Sequence, residues 1–459
     1  MPFTTEDWDW LGAFLKGRGL AGIAVATSEG GDTFFVSKGW AELRRRPVER
    51  ETLFEFGSVG KAFTALLVLQ LVDEGAIDLG ASVAEYLPWF EVRSDFGPIA
   101  VEHLLTHSAG LIRGADMSAD SRFDVWALRE TETGFPPGER HYYSNVGFRT
   151  LGYMLEEITG TRYPDLVRAR LLEPLGLTGI AAELTADVRP RLAVAYDRLH
   201  GDRLPEPDDP LVPAPWIDTD TGDGCLAGTA DDLLAFCRYL LDGAAERLTG
   251  GLLLPSGDGW TYGYGLERKG ALIRHGGSMP GQSCTMLGDL ETGLAVAVLL
   301  NGPDERDVTE ELAEYALALA LGESPSPPVD PDPRRPTPLA EPLEEWSHLY
   351  GRYGAYNPWT PGFRIVQWQS GPGLVYLWGQ EEPLAPLGNE TFRVGAGWSP
   401  ERLRFDAVAD GQALRANLSG ETYYRSGSDS SRKRPSNSLL RAGERADPAP
   451  GLRSSSSIE

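Results

Sequence analysis

The chain has 459 residues, 41% of them hydrophobic, and a formal charge of -25 at pH 7. This length predicts roughly two or three domains, and the charge argues against nucleic acid or an anionic membrane as a partner, because phosphate contacts come mainly from Lys and Arg. The acidic N-terminal segment lacks the basic region of a signal peptide, and no long apolar run predicts a membrane span, so we expect a cytoplasmic protein. The cysteines show no metal-binding spacing, and no metal or organic cofactor is expected.

The first two thirds of the chain read as strands, then helices, then strands. GIAVAT and DTFFVSKGW predict a β-hairpin within residues 20–50, and AFTALLVLQLVDEG, apolar on nearly every face, predicts a buried helix that ends at Gly75. After further helical patterns, the strand patterns WTYGYGLE, ALIRHGG and SCTMLGDLETGLAVAVLLNG precede a last helix, DVTEELAEYALALALG. We therefore predict an α+β fold, in which an antiparallel sheet built from both ends of this part is flanked by helices, with an inserted helical subdomain.

The rest of the chain changes composition twice. Proline is abundant in ESPSPPVDPDPRRPTP, which cannot form a helix or a central strand. Short alternating runs such as FRIVQWQ and GLVYLWG then predict a small antiparallel β-barrel, and the final Ser- and Arg-rich segment lacks apolar residues. The predicted organisation is a first domain over 1–322, a linker over 323–341, a barrel over 342–425 and a disordered tail over 426–459.

The segment FEFGSVGKAF places Ser58 three residues before Lys61, so both side chains lie on one face of a helix that starts near Gly57. By itself this spacing more often means a helix cap beside a solvated charge, and it recurs at Ser430 and Lys433 in the predicted tail. Lys61 is nevertheless unusual, because the helix dipole and burial both disfavour a cation at this position. A neutral amine there could accept the proton of a serine nucleophile.

Two further segments contain candidate site residues. In GFPPGERHYYSNVGF, Tyr143 and Asn145 are two residues apart and can face one pocket, although a packed tyrosine beside an asparagine cap is the simpler alternative. In RHGGSMPGQS, His275 is followed by glycines that would let a substrate backbone approach, and an exposed N–H after Gly277 could bind an oxyanion. Taken alone, His275 would be an ordinary histidine of an edge strand.

In this order, SVGK, YSN and HGG resemble the three motifs of the serine β-lactamase and penicillin-binding protein superfamily. The resemblance extends over roughly residues 5–320, and the YxN form points to the branch of class C β-lactamases, DD-carboxypeptidases, D-aminopeptidases and esterases. It implies a β-lactamase/transpeptidase-like fold for the first domain. The predicted barrel resembles the small, lipocalin-like barrels appended to some members, where such a barrel can border the active site.

The resemblance also implies roles for individual residues. Ser58 would be the nucleophile and form an acyl-enzyme, with Lys61 and Tyr143 sharing the general acid and base work in an undecided order. The substrate would be bound by Asn145, which would hydrogen-bond its acyl-side amide, and by the segment at Gly277 and Ser278. The N–H groups of Ser58 and Ser278 would form the oxyanion hole. His107, in LLTHSAG, is read as structural.

His275 departs from the class C pattern, because it occupies the place of a lysine. Histidine is a weaker anion anchor but can hydrogen-bond Tyr143, and the HGG form looks more like D-aminopeptidases and esterases. We therefore expect a serine hydrolase that cleaves a small ester or amide, with a small molecule or short peptide as substrate. The alternatives are a β-lactamase or DD-carboxypeptidase and, from another class, a sensor that stays acylated. The sequence does not name the substrate, the oligomeric state or the role of the C-terminal domain.

Overall fold

The computed structural model describes residues 5–29, 32–114, 121–199, 209–217, 221–224, 226–303, 306–328, 337–357 and 359–426. The predicted tail, apart from its first residue, and the middle of the predicted linker lie outside these ranges. The domain boundaries drawn from the sequence remain a prediction.

All α-helices in the described ranges lie in the first part of the chain, before residue 321. In the described ranges the α-helices are α1 (Leu11–Arg18), α2 (Gly60–Asp73), α3 (Val83–Tyr86), α4 (Val101–Leu105), α5 (Ser121–Trp126), α6 (Asn145–Thr159), α7 (Tyr163–Val167), α8 (Ala230–Tyr239), α9 (Ala245–Thr249) and α10 (Arg306–Ala320). The predicted helix at α2 is buried over most of its circumference, and Gly75, with φ of 74°, follows its end. None of the described helices combines the length and apolar character needed to cross a membrane.

The first part of the chain also contains a large antiparallel sheet. Its strands, together with those of two small ribbons, are β1 (Gly22–Glu29), β2 (Asp32–Glu42), β3 (Arg46–Pro47), β4 (Phe54–Glu55), β5 (Tyr196–Arg198), β6 (Leu211–Pro213), β7 (Ala227–Gly228), β8 (Leu254–Gly257), β9 (Trp260–Tyr262), β10 (Glu267–Lys269), β11 (Leu272–Met279), β12 (Gln282–Asp289) and β13 (Ala295–Asn301). In the described residues the large sheet has nine strands in the order β3-β2-β1-β13-β12-β11-β10-β9-β8. Since β1 pairs with β13, the sheet is assembled from both ends of this part, which confirms the predicted α+β fold.

Both faces of the sheet are covered because side chains alternate along each strand. Along β1, Ala24 and Ala26 face a core formed with the helical block, whereas Ile23 and Val25 face a second core formed with α1 and α10. β11 lies between β10 and β12, and its Ser278 lies against Gly57, in the turn before α2.

The C-terminal strands close into a barrel, as predicted. They are β14 (Gly351–Gly354), β15 (Gly362–Trp368), β16 (Gly371–Tyr376), β17 (Glu381–Gly388), β18 (Thr391–Val394), β19 (Arg402–Ala409), β20 (Gln412–Leu418) and β21 (Glu421–Arg425). In the described chain β14 pairs with β21, so the barrel is closed and its interior is filled by aromatic and aliphatic residues such as Tyr353, Phe363 and Phe405.

The barrel packs against the segment that leads into α6. The ring of Trp398 lies 5.6 Å from that of Phe135 and 5.7 Å from that of Tyr142, centroid to centroid. Arg140 lies over the same indole at 5.1 Å, and Arg402 of the barrel pairs with Glu132. The barrel therefore supports the segment that contains Tyr143.

A short loop at residues 221–224 crosses α6 at very close range. A Cβ added at Gly152 of α6 would lie 2.6 Å from the backbone nitrogen of Gly222, and a Cβ at Gly222 would lie 2.4 Å from the carbonyl oxygen of Phe148. Only glycines permit this approach of two backbones.

Replacing Gly152 by Ala should therefore destabilise the protein by about 1–3 kcal/mol, because the loop must move away from α6. The direction of this change in stability is informative, because replacing glycine by alanine in an exposed helix normally stabilises a protein by up to about 1 kcal/mol. The denaturant midpoint of unfolding measures the effect. Gly97→Ala is the matched control, because a Cβ at Gly97 meets nothing within 4 Å. Equal midpoints for the two variants would contradict this account of the packing.

Candidate active site

Ser58 and Lys61 lie together at the start of α2. A 3₁₀ turn, Gly57–Val59, carries Ser58 directly before the helix, and Lys61 occupies the first helical turn. Lys61 is fully buried at 0% exposure, and its Nζ donates to Ser58 Oγ at 3.0 Å and to the carbonyl oxygen of Asp223 at 2.7 Å. Among the described residues no carboxylate forms an ion pair with Lys61. The structure thus brings together the two residues that the SxxK spacing singled out.

The loop at 221–224 is fixed by buried polar groups. Thr64 Oγ1 of α2 donates to the carbonyl oxygen of Gly222 at 2.6 Å. Arg149 of α6, 1% exposed, donates from Nε to Asp223 Oδ2 at 3.0 Å and from a terminal nitrogen to Asp124 Oδ2 at 2.6 Å. The carbonyl of Asp223 is therefore held in place at Lys61 by both neighbouring helices.

The HGGS segment of β11 packs directly on the turn that carries Ser58. Gly57 has φ of 47°, a left-handed conformation that favours glycine, and a Cβ there would lie 2.8 Å from the backbone nitrogen of Ser278. A Cβ at Gly277 would lie 1.9 Å from the carbonyl oxygen of Phe56. The backbones of Ser58 and Ser278 are consequently neighbours, which is the arrangement that a two-donor oxyanion hole needs.

Tyr143 and Asn145 stand on either side of the helix cap of α6. Lys61 Nζ lies 5.1 Å from the centroid of the Tyr143 ring, and the Tyr143 hydroxyl has no hydrogen-bond partner in the described residues. The cap is Ser144, whose Oγ accepts the N–H of Gly147 at 3.1 Å, so the asparagine is not needed for capping. Asn145 Oδ1 is buried and makes no hydrogen bond with any residue in the described ranges.

His275 is buried in β11, and both of its ring nitrogens are engaged. Nδ1 lies 2.7 Å from the carbonyl oxygen of Gly276, and Nε2 lies 2.9 Å from the hydroxyl of Tyr262. A carbonyl oxygen can only accept, so Nδ1 carries the proton, and in the neutral ring Nε2 accepts from Tyr262. The hydroxyl bound to His275 is therefore that of Tyr262, on β9, and not that of Tyr143 as the sequence had suggested.

Two more histidines pack around Tyr143. The ring of His107 lies 4.1 Å from that of Tyr143 and 5.6 Å from that of His141, and its Nδ1 accepts the N–H of Ser144 at 3.1 Å. Burial holds the pKa of His107 well below its ordinary value, with His141 and Lys61 acting in the same direction. Burial also lowers the pKa of His141, to about 4. Both rings are thus neutral near pH 7, and His107 serves to position Tyr143 and the start of α6.

Sequence reasoning missed Asp223, Arg149 and Tyr262. No motif spacing connects them to Ser58, because Asp223 follows Lys61 by 162 residues. The clue in the sequence is indirect: the TGDG segment places an acidic residue between glycines, and Tyr262 lies in a predicted strand. In the described ranges, no group of three or more His, Cys, Asp or Glu side chains is arranged to hold a metal ion.

Comparison with known proteins agrees with this geometry. The β-lactamase family model matches residues 9–320. The chain belongs to the β-lactamase family. Penicillin-binding protein 4 of Amycolatopsis lactamdurans is 29% identical over 383 residues, covering 74% of this chain and 97% of that protein. The D-aminopeptidase of Cereibacter sphaeroides is 29% identical over 331 residues, covering 66% of this chain and 60% of that enzyme.

A solved structure extends the similarity of fold to nearly the whole chain. The octameric penicillin-binding protein homologue from Pyrococcus abyssi superposes with a TM-score of 0.62 at 22% identity, covering 92% of this chain and 99% of that one. The match of the family model confirms the superfamily predicted from the sequence, and the chain is a serine hydrolase of this family. The roles of its individual residues remain proposals.

The lowered pKa of His141 predicts a pH-dependent difference in stability. A histidine whose pKa falls on folding stabilises the folded state fully above its unfolded pKa, near 6.5, and loses this contribution as the pH falls toward the folded value of about 4. His141→Gln should therefore gain stability relative to wild type as the pH is lowered from 7.5 to 4.5, by at most about 3 kcal/mol.

Denaturant midpoints of both proteins across this pH range provide the measurement. The comparison at pH 7.5, where the histidine is neutral in both states, is the internal reference. Parallel pH profiles for wild type and His141→Gln would show that His141 does not titrate abnormally in the folded protein.

Proposed function

We propose that this protein hydrolyses a small ester or amide, of the esterase or D-amino-acid peptidase type, through an acyl-enzyme on Ser58. The observation that carries the proposal is the 3.0 Å contact between Ser58 Oγ and Nζ of the buried Lys61, which has no carboxylate partner among the described residues. An amine in this environment is suited to receive the serine proton, because no counter-ion among the described residues holds it as a cation.

In the proposed acylation step, Ser58 Oγ attacks the substrate carbonyl and Lys61 takes its proton. The negative charge that develops on the carbonyl oxygen is stabilised by the N–H groups of Ser58 and Ser278, a contribution of about 3–4 kcal/mol for one such donor. Tyr143, whose ring lies against Lys61, passes a proton to the leaving group. Its hydroxyl is available for this, because no described residue occupies it.

In deacylation the same groups act in reverse on a water molecule. Water attacks the acyl carbonyl and gives its proton to Tyr143, which lost its own proton to the leaving group, while Lys61 returns the proton that it took in acylation to Ser58 Oγ as the serine leaves. Asn145 Oδ1 holds the acyl portion by accepting the N–H of an amide on that side of the substrate. Its lack of a protein partner in the described structure supports this role.

The choice of substrate type rests on the His275–Tyr262 pair. Where class C enzymes have a lysine, this site has an imidazole whose Nε2 is already occupied by the Tyr262 hydroxyl. Without a permanent cation there, a carboxylate beside the scissile bond adds little to substrate binding. This disfavours the β-lactamase and DD-carboxypeptidase alternatives. Similarity to a D-aminopeptidase supports amide or peptide substrates. The cytoplasmic location expected from the sequence stays a prediction.

The nucleophile is tested with wild type and Ser58→Ala on nitrophenyl esters, D- and L-aminoacyl anilides and a chromogenic cephalosporin. Wild type should turn over an ester or an anilide repeatedly, while Ser58→Ala should lose at least about a thousandfold in kcat. Intact-protein mass spectrometry should show an acyl adduct on wild type only. Equal rates for the two proteins would exclude Ser58 as the nucleophile, and one acylation per chain without turnover would favour the sensor alternative.

The role of Asn145 is tested with two esters that share a leaving group. Asn145→Ala should lower kcat/KM about tenfold for the nitrophenyl ester of an N-acetyl amino acid, which has an acyl-side amide N–H, because one hydrogen bond to the substrate is lost. It should change kcat/KM little for nitrophenyl acetate, which lacks that N–H. The same loss on both esters would assign Asn145 to the support of α6 rather than to substrate binding.

A further inference from the structure

A cavity of about 250 Å³ lies between the barrel and the segment that carries the active site. One wall comes from the first part of the chain, including Arg113 and Tyr142, and the opposite wall comes from the barrel, including Tyr376, Trp378, Glu382 and Trp398. None of Ser58, Lys61, Tyr143 or His275 lines it. Its volume is below the range of about 300–1,000 Å³ usual for drug-sized ligands, so a smaller molecule would fill it.

Arg113 lines this cavity, and its side chain has no partner among the described residues. Arg113 is an exposed residue on the cavity wall, and its guanidinium makes no hydrogen bond or ion pair with any described residue. Burial opposes its charge, but Tyr142, Glu401 and other neighbours outweigh this and raise the pKa of Arg113. The Tyr376 hydroxyl, also on the cavity wall, has no partner in the described residues either. Together they offer unused donors for a carboxylate.

The acidic residues of the cavity differ in how many of their carboxylate oxygens are already hydrogen-bonded. Both carboxylate oxygens of Glu401 are engaged, because Oε1 accepts from the Arg113 backbone N–H at 2.8 Å and from the Tyr142 hydroxyl at 3.1 Å, and Oε2 accepts from Ser419. Glu421 accepts from the Tyr423 hydroxyl, and burial raises its pKa to about 7. Glu382 accepts only from Gln380, at 2.8 Å on Oε1, so its Oε2 remains free in the described structure.

The cavity therefore combines a cation and a carboxylate oxygen that no described residue occupies, and aromatic rings line the space around them. A simple anion would meet Arg113 but be repelled by the glutamates, and a simple cation would meet Glu382 but be repelled by Arg113. A molecule that carries both charges complements both groups. Tyr142, Tyr376, Trp378 and Trp398 add apolar and cation–π contacts for the remaining atoms and for an ammonium group.

We propose that this cavity binds a free α-amino acid as a zwitterion, with its carboxylate at Arg113 and Tyr376 and its ammonium at Glu382. The site is separate from the nucleophile but adjoins it through the backbone. The carbonyl oxygen of Arg113 accepts the N–H of Asn145 at 2.7 Å, and Tyr142 directly precedes Tyr143. The proposal does not require that Ser58 act as a nucleophile, so the two can fail independently.

Calorimetric titration of the full-length Ser58→Ala protein tests the proposal without turnover. The ligands are D- and L-phenylalanine, phenylacetate, which lacks the ammonium group, and phenethylamine, which lacks the carboxylate. At least one phenylalanine enantiomer should bind about tenfold or more tightly than both analogues, because each charged hydrogen bond contributes separately. No binding of either enantiomer up to about 10 mM, or phenylacetate binding as tightly as phenylalanine, would overturn it.

Substitutions on the two walls assign the contacts. Arg113→Gln should weaken phenylalanine and phenylacetate binding by about ten- to a hundredfold and leave phenethylamine no weaker. Glu382→Gln should weaken phenylalanine and phenethylamine but not phenylacetate. Arg404→Gln, an exposed arginine that does not line the cavity, removes the same charge and should leave all affinities unchanged.

Tyr376→Phe provides an independent route if Arg113→Gln does not fold. It removes only the free hydroxyl and should weaken phenylalanine and phenylacetate by about three- to tenfold. Thermal unfolding of each variant verifies that it is folded. Unchanged phenylalanine affinity in folded Glu382→Gln and Tyr376→Phe proteins, or an equal loss in Arg404→Gln, would place the bound ligand elsewhere and refute the proposal.

Discussion

The buried amine of Lys61 constrains the rest of the site more than any other group. Removing an amine from water costs several kcal/mol unless its hydrogen bonds are replaced, and Lys61 finds its replacements at Ser58 Oγ and at the carbonyl oxygen of Asp223. The first contact is local to one helical turn. The second requires a peptide group far along the chain to reach the same point, so the fold must place a loop within hydrogen-bonding distance of Lys61.

The position of this loop depends on buried charges and on glycines. Arg149 lies between Asp124 and Asp223, and such buried ion pairs add little net stability although removing one partner is costly. Their effect here is to fix where the loop lies. Gly152 and Gly222 allow the loop to touch α6, and Gly277 allows β11 to touch the turn at Ser58. Helix, loop and sheet therefore meet at Ser58 through close backbone contacts rather than through long side chains.

The barrel contributes to the same region from the other side. Its closure removes the free strand edges that a small sheet would expose, which makes it a stable support for neighbouring segments. Trp398 packs on the rings that precede Tyr143, and Glu401 binds both Arg113 and Tyr142. The segment between Arg113 and Asn145 is thus shared between the proposed hydrolase site and the proposed amino-acid cavity. A ligand in the cavity would contact the backbone that positions Tyr143 and Asn145.

The sequence by itself determined the fold class and the pairing of Ser58 with Lys61, because strand alternation, a fully apolar helix and a three-residue spacing are local properties. The resemblance of SVGK, YSN and HGG to known motifs indicated the family. It also named Tyr143, Asn145 and His275, which the structure places around α2, α6 and β11. Only the tertiary structure decided that Asp223 binds Lys61, that Tyr262 rather than Tyr143 binds His275, and that Arg113 enters a cavity. These contacts join residues far apart in the chain, so they depend on how the whole core packs and not on any local pattern.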